Sequence, residues 1–198
     1  MALYGEYGLS ESWTLLGRVA WQSVEQQFGL GQDRAEGLAA SELGVRYRLH
    51  RFDHAVLSVQ ASAFIAGDGE NITNQPLGEG SHAAELRLLA GYGFDEGGFA
   101  DVQLAYRQRE GLYLDEARLD LTAGWELSDR WQVMAASHSV WSVEAALPGS
   151  PDFSQHKLDL SLLREIGGFE IQLGVTATPA GRNALDERAV FLSGWRRF

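Results

Sequence analysis

The residues of this 198-residue chain that could do chemistry are five histidines and a large set of interleaved charges. The histidines follow no metal-binding spacing such as HExxH, and the chain has no cysteine, so neither a metal site nor a cofactor is predicted. His138 and Ser139 are residue types that serve in nucleophilic catalysis. Adjacent residues of a strand point to opposite faces, so these two cannot pair with each other. We therefore expect a packed or inward-facing histidine and no enzymatic activity.

Calcium and nucleic acid are not predicted as ligands either. The stretch "DGEN" at residues 68–71 offers oxygen atoms but lacks the spacing of a calcium loop, and we interpret it as a solvated loop. The net charge of -11 argues against binding to nucleic acid, since contacts with phosphates need a basic surface.

Acidic and basic side chains two positions apart are the most informative pattern. Glu85 and Arg87, or Arg118 and Asp120, would lie on one face of a strand because successive side chains alternate between faces. Opposite charges on facing strands can form ion pairs. In a narrow interior, such pairs either fill the space or line a conducting pore. The predicted cluster of interior charges comprises Arg18, Arg46, Arg48, Glu85, Arg87, Asp101, Arg107, Arg118, Asp120, Lys157 and Asp159.

The stretch "RLDLTAGWELSDRWQVMAA" at residues 118–136 shows which elements position these charges. Apolar residues occupy every second position as far as Leu127, and they resume at Trp131 after a short polar break. This alternation predicts two β-strands, each with one apolar and one polar face, joined as a hairpin. The pattern recurs along the whole chain, giving about eleven strand candidates and no convincing helix.

Short and long connections alternate between these strands. Longer polar segments such as "EQQFGLGQDRAEGLAAS" fall between the short breaks. Short turns at one side and long loops at the other are typical of outer-membrane barrels, whose short turns lie on the periplasmic side, although a soluble up-and-down barrel can share this arrangement. The short breaks are Ser10–Ser12, His50–His54, Asp95–Gly98, Ser128–Arg130 and Gly167–Gly168.

Aromatic rings collect near the strand ends, whereas the apolar positions at mid-strand are mostly small or aliphatic. Amphipathic rings prefer the membrane interface, so two belts of rings favour a membrane barrel over a soluble barrel with an apolar core. We predict an all-β, transmembrane, up-and-down antiparallel β-barrel that forms a single domain over residues 1–198. The predicted interface aromatics are Tyr7, Trp13, Trp21, Phe94, Phe99, Trp125, Trp131, Trp141, Phe169 and Phe198.

Two segments carry a resemblance to a known group. The last strand, "AVFLSGWRRF", ends in an aromatic residue similar to the terminal assembly signal of outer-membrane proteins, and "EYGLSESWTLLG" resembles a first periplasmic hairpin. Over essentially its full length the chain resembles small Gram-negative outer-membrane β-barrel proteins. The resemblance implies an outer-membrane location, a cleaved signal peptide, contact with lipid and lipopolysaccharide, and folding by the barrel-assembly machinery through the C-terminal strand. It implies no particular activity.

Two functions remain open for such a barrel. The first is a porin-like narrow pore or passive transporter for ions or small solutes, with a charged lumen. The second is a non-conducting barrel that acts in a structural, adhesive or lipid-interacting role through its extracellular loops. A barrel of ten to twelve strands encloses little more than its own side chains, so any channel is thin.

The directions of the first and last strands raise the question of how the barrel closes. "ALYGEYGL" and "ERAVFLSGWRRF" are both expected to run toward the short turns, so the count of eleven is odd. Bacterial single-chain barrels close with an even number of strands. We expect a signal peptide and one further strand before Met1, making twelve strands. The alternatives are a parallel closure, or ten strands if the link at Arg109–Gly111 does not separate two.

Overall fold

The computed structural model describes residues 1–28, 31–67, 80–143 and 151–196, with residues 24–28 and 31–35 described through their backbone alone. Within these ranges the regular structure consists of β-strands only. No helix with the length and apolar character needed to cross a membrane occurs in the described part of the chain. The twelve strands are β1 (Ala2–Gly8), β2 (Trp13–Phe28), β3 (Gly31–Leu38), β4 (Ser41–Arg51), β5 (Ala55–Ile65), β6 (Ala83–Gly93), β7 (Gly98–Arg109), β8 (Glu116–Ser128), β9 (Trp131–Ser142), β10 (Ser154–Ile166), β11 (Phe169–Arg182) and β12 (Arg188–Arg196).

All twelve strands belong to one antiparallel sheet, which confirms the predicted all-β class. Eleven of them form a continuous path in which each strand pairs with its neighbour, in the order β1-β2-β4-β5-β6-β7-β8-β9-β10-β11-β12. The remaining strand, β3, pairs with β2. The predicted count of about eleven is therefore corrected to twelve for the part of the chain that the structure describes. The weak link at Arg109–Gly111 does separate two strands, β7 and β8.

Strand β3 was missed because it lies in a segment predicted to be a loop. Strand β2 pairs with β4 from Trp13 to Arg18 and with β3 from Trp21 to Phe28, so the β2–β3 hairpin continues past the main sheet. A two-stranded ribbon is held together by its backbone ladder. It does not need one buried apolar face, and the sequence therefore shows no alternation there.

The short connections lie together at one edge of the sheet, as predicted, and we call this edge the turn rim. They span residues 9–12, 52–54, 94–97, 129–130 and 167–168. Gly167 and Gly168 both have positive φ angles, 60° and 83°, as a two-residue type I′ turn requires. The opposite edge, which we call the loop rim, carries the longer connections between β5 and β6, β7 and β8, β9 and β10, and β11 and β12.

The sheet has one polar and one apolar face, and these can be followed from strand to strand because residues paired in an antiparallel ladder share a face. Gln60 and Glu85 on the polar face are 7% and 5% exposed, whereas Leu86, next to Glu85 on the apolar face, is 60% exposed. The sheet therefore curls with its polar face inward. A few apolar side chains are also buried inward, among them Leu16 and Phe64.

Strands β1 and β12 are the two ends of the eleven-strand path. Ten antiparallel steps separate them, so they run in the same direction, as the sequence predicted. Within the described residues they pair with β2 and β11 respectively and not with each other. The expected further strand before Met1 stays a prediction.

Candidate functional site: a polar interior

The inward face gathers all of the charges that the sequence predicted to be interior. Residues paired between neighbouring strands share a face, and this pairing links Arg46 on β4 to Gln60 on β5 and Arg87 on β6. It continues through β7 to Arg118 on β8. The same pairing continues through β9 to Lys157 and Asp159 on β10. The residues that share the face are Arg18, Arg46, Arg48, Glu85, Arg87, Asp101, Arg107, Arg118, Asp120, Lys157 and Asp159.

Ion pairs connect β6, β7 and β8 on this face. Glu85 accepts hydrogen bonds from Arg87 Nε at 2.8 Å and from Arg107 Nε at 2.9 Å, one on each carboxylate oxygen. Arg87 also donates to Asp120, two strands away, and to Gln103 on the intervening strand at 2.7 Å. One arginine therefore ties three strands together, as expected for a forked guanidinium group.

His138 extends this chain of charges to β10. Its Nδ1 lies 2.9 Å from Asp120 Oδ1, and its Nε2 lies 3.4 Å from Asp159 Oδ2. The sequence predicts a packed or inward-facing histidine here, and the structure places it between two carboxylates. We call the connected set of Glu85, Arg87, Arg107, Asp120, His138 and Asp159 the ion-pair belt.

Other charges of the predicted cluster have different neighbours. Arg46 pairs with Glu6 of β1 at 2.9 Å and donates to Gln60 at 3.0 Å. Arg118 donates to Glu116 at 2.9 Å, two positions earlier on the same strand, and not to Asp120, which stands two positions later. Alternation places these residues on one face, but it does not determine which charges pair.

Near the loop rim the interior contains a basic cavity of about 390 Å³, which we call the loop-side cavity. Its walls come from β2, β5, β7, β8 and β10, and β2 lies far from β8 and β10 in the strand order. The sheet therefore curls far enough for distant strands to face one another. Four cationic side chains and one carboxylate line the cavity, namely Arg18, Arg109, Arg118, Lys157 and Glu116.

Near the turn rim lies a second polar cavity of about 260 Å³, the turn-side cavity, where carboxylates predominate. Glu126 and Asp129 come from β8 and the turn after it, and Glu165 and Glu170 come from β10 and β11. Arg130 is the one cationic side chain among the lining residues. The described interior thus has a basic cavity at one end, an acidic cavity at the other, and the ion-pair belt between them.

On the outward face, aromatic rings form clusters near the turn rim. Trp13 stacks against Tyr47 at 4.7 Å between ring centroids, and Phe94 lies 5.9 Å from Trp125. Two arginines add cation–π contacts at the same rim, Arg164 over Trp131 at 4.9 Å and Arg196 over Phe169 at 5.0 Å. Tyr7 of β1 also faces outward here.

The second group of predicted rings, Trp21 and Trp141, lies near the loop rim and is also exposed. Trp131 and Trp141 stand on the same face of β9, ten residues apart. At about 3.4 Å per residue, this separation corresponds to roughly 34 Å along the strand.

Phe99 corrects the set of predicted interface aromatics. It pairs with Gly93 and Gly124 on the inward face, next in register to Asp101. Gly124 makes room for the ring, because a Cβ atom at that position would lie 2.4 Å from Cε1 of Phe99. The alternation of apolar residues at Ala100 and Val102 indicates that Phe99 lies on the polar face. The prediction of an interface position depended instead on its closeness to a turn. Phe198, the last predicted ring, lies outside the described residues.

The outward face holds a serine–histidine pair that the sequence does not predict. Ser139 on β9 lies opposite His156 on β10, and its Oγ is 2.9 Å from Nδ1 of the histidine. Trp141 packs its ring edge against His156 at 5.3 Å. No third polar side chain contacts His156 in the described part of the chain, so the pair lacks the group that would orient a catalytic histidine. Its evident role is to satisfy two polar side chains on an apolar face.

Neither a metal site nor a known relative identifies this interior. Among the described residues, no group of three or more histidines and carboxylates is placed to hold a metal ion. No protein-family model matches the chain, and a search of curated proteins finds no significant match.

Proposed function

We propose that the protein is an integral β-barrel of the Gram-negative outer membrane and that it acts as a narrow, porin-like pore for ions or small solutes. The membrane part of the proposal is supported by the outward face. Leu104, Leu160 and Leu173 on three different strands are each more than half exposed. A continuous apolar surface of this kind is costly in water but favourable in lipid.

The closed form of the barrel is part of the proposal. Closure is supported by the loop-side cavity, around which lining residues from β2, β8 and β10 face one another. Outer-membrane lipid and lipopolysaccharide would cover the apolar face, and the barrel-assembly machinery would act on the C-terminal strand.

The pore part of the proposal depends on one observation: polar cavities enter the interior from both rims and are separated by the ion-pair belt. Charged side chains that line a cavity keep it hydrated and attract counter-ions. A belt of paired charges is a suitable constriction for small solutes. We place no enzymatic step and no cofactor in this interior.

The test is single-channel conductance after reconstitution of the full chain into a planar lipid bilayer. Small, discrete current steps are expected. The variant Phe64→Ala should raise the conductance, because Phe64 is an inward ring over which Arg107 lies at 3.8 Å, and its removal enlarges the loop-side cavity. Leu160→Ala on the outward face is the matched control and should leave the conductance unchanged.

The second candidate is a non-conducting barrel that acts through its loops, and the density of the ion-pair belt favours it. The side chains of Glu85 and Arg107 are only 2% and 3% exposed, so the interior is filled around them. Suppose that both the unmodified protein and Phe64→Ala fold and insert into lipid but give no current in the planar bilayer. This result would support the second candidate and overturn the pore.

A further inference from the structure

We propose that the loop-side cavity is a binding site for a small multivalent oxyanion, such as inorganic phosphate or a short dicarboxylate. This inference deepens the proposed function by naming a solute class. It rests on the barrel-like curl of the sheet but does not require that the interior conducts.

The charges around the cavity are unbalanced in favour of an anion. Arg109 Nη1 and Arg118 Nε each lie 2.9 Å from a different oxygen of Glu116, so one carboxylate faces two guanidinium groups. Lys157 has its own partner, Glu187, at 2.5 Å. Arg18 lines the same cavity and has no ion pair or hydrogen bond among the described residues. The four lining cations therefore outnumber the two carboxylates Glu116 and Glu187, and Arg18 is the available donor.

The shape and the other lining groups suit an oxyanion. A volume of about 390 Å³ corresponds to roughly a dozen waters at about 30 Å³ each, which leaves room for a hydrated anion of several heavy atoms. Guanidinium groups bind carboxylate and phosphate oxygens through paired hydrogen bonds. The side-chain amides of Gln22 and Gln155 add neutral donors to the wall. A monovalent halide would use few of these directed donors, so multivalent oxyanions should be preferred.

The contrast with the other end of the interior strengthens the assignment. The turn-side cavity is lined by Glu126, Asp129, Glu165 and Glu170, so it repels the ligand that the loop-side cavity attracts. An anion should therefore bind at one end of the interior only. This end is the loop rim.

The experiment is a titration of the refolded full chain with inorganic phosphate. The protein is held in detergent micelles at constant ionic strength, and isothermal titration calorimetry measures the heat of binding. Saturable binding is expected in the unmodified protein. Arg18→Gln should weaken the affinity about tenfold, since one charged donor is lost. Gln22→Glu, which adds a carboxylate to the wall, should weaken it as well. Arg48→Gln is the matched control, because Arg48 is an inward arginine that does not line the cavity.

Each outcome decides the proposal separately from the pore. Absence of saturable binding by correctly folded protein, or equal losses in Arg18→Gln and Arg48→Gln, would overturn the site. Phosphate binding by a protein that gives no current would keep the site and overturn the pore. Current without phosphate binding would keep the pore and overturn the site.

Discussion

Glu85 on β6 lies opposite Arg107 on β7, with 2.8 Å between Oε2 and Nη2, and both side chains are almost fully shielded from solvent. The other oxygen of Glu85 serves Arg87. A single buried carboxylate therefore pairs with two arginines in the interior. Removing one partner of such a buried pair leaves an uncompensated charge, which costs far more than the pair itself contributes.

We predict that Glu85→Gln lowers the free energy of unfolding by about 3–5 kcal/mol. The measurement is urea denaturation of the refolded protein in micelles, with tryptophan fluorescence as the signal that reports unfolding. Glu42→Gln is the control, because Glu42 shares the inward face but has no ion pair in the described part of the chain. Equal midpoints for the two variants would contradict the importance of the ion-pair belt.

Neighbouring positions on β8 test which face meets lipid. Leu121 points outward and Thr122 points inward, in register with Asp101. We predict that Leu121→Arg destabilises the protein in lipid by about 2–4 kcal/mol, because a charge near mid-membrane loses its hydration. Thr122→Arg should cost clearly less, since it faces the polar interior. The folding yield into vesicles and the urea midpoint are measured for both variants. A larger loss of stability in Thr122→Arg than in Leu121→Arg would invalidate the assignment of the two faces.

The orientation of the two rims is open to a labelling experiment. Single cysteines replace Asp95 and Asp129 in turn-rim connections, and Leu112 and Asp186 in loop-rim connections. If the turn rim is periplasmic, a membrane-impermeant maleimide added to intact cells should label only the two loop-rim positions. If the turn-rim cysteines were labelled in intact cells to the same extent as in permeabilised cells, the proposed orientation would be reversed.

Gly44 on β4 is predicted to tolerate no side chain. A Cβ atom there would lie 2.5 Å from Oγ of Ser62, 2.9 Å from the carbonyl oxygen of Ala61 and 2.9 Å from Cδ1 of Leu16. Overpacking of this kind costs about 1–3 kcal/mol, so Gly44→Ala should lower the urea midpoint. Gly5→Ala is the control, because nothing lies within 4 Å of a Cβ atom at that position. A midpoint for Gly44→Ala that equals the unmodified protein would show that the neighbours move aside easily.

The faces of the strands could be predicted from the sequence because alternation with a period of two reports directly on which side chains share a face. Arg87 and Asp120 were assigned to the interior in this way, and the register places them there. The strand β3 could not be predicted, since a two-stranded ribbon imposes no such period.

The partners of the interior charges could not be predicted for a different reason. Whether Arg118 pairs with Glu116 or Asp120 depends on side-chain rotamers, and both acids are two positions away. The pairing of Ser139 with His156 depends on the register between β9 and β10, which are separated in sequence by a long connection. The cavities depend on how strongly the sheet curls, and alternation carries no information about curvature.

The opposite charges of the two cavities have a consequence for the direction of current. In the proposed pore, ions cross a basic region and an acidic region in series. A voltage that makes the turn-rim side positive draws anions in through the loop-side cavity and cations in through the turn-side cavity, so both accumulate at the ion-pair belt. The reverse voltage empties the belt of both kinds of ion. Uniformly oriented molecules should therefore rectify, with the larger current when the turn-rim side is positive, as an ionic diode does.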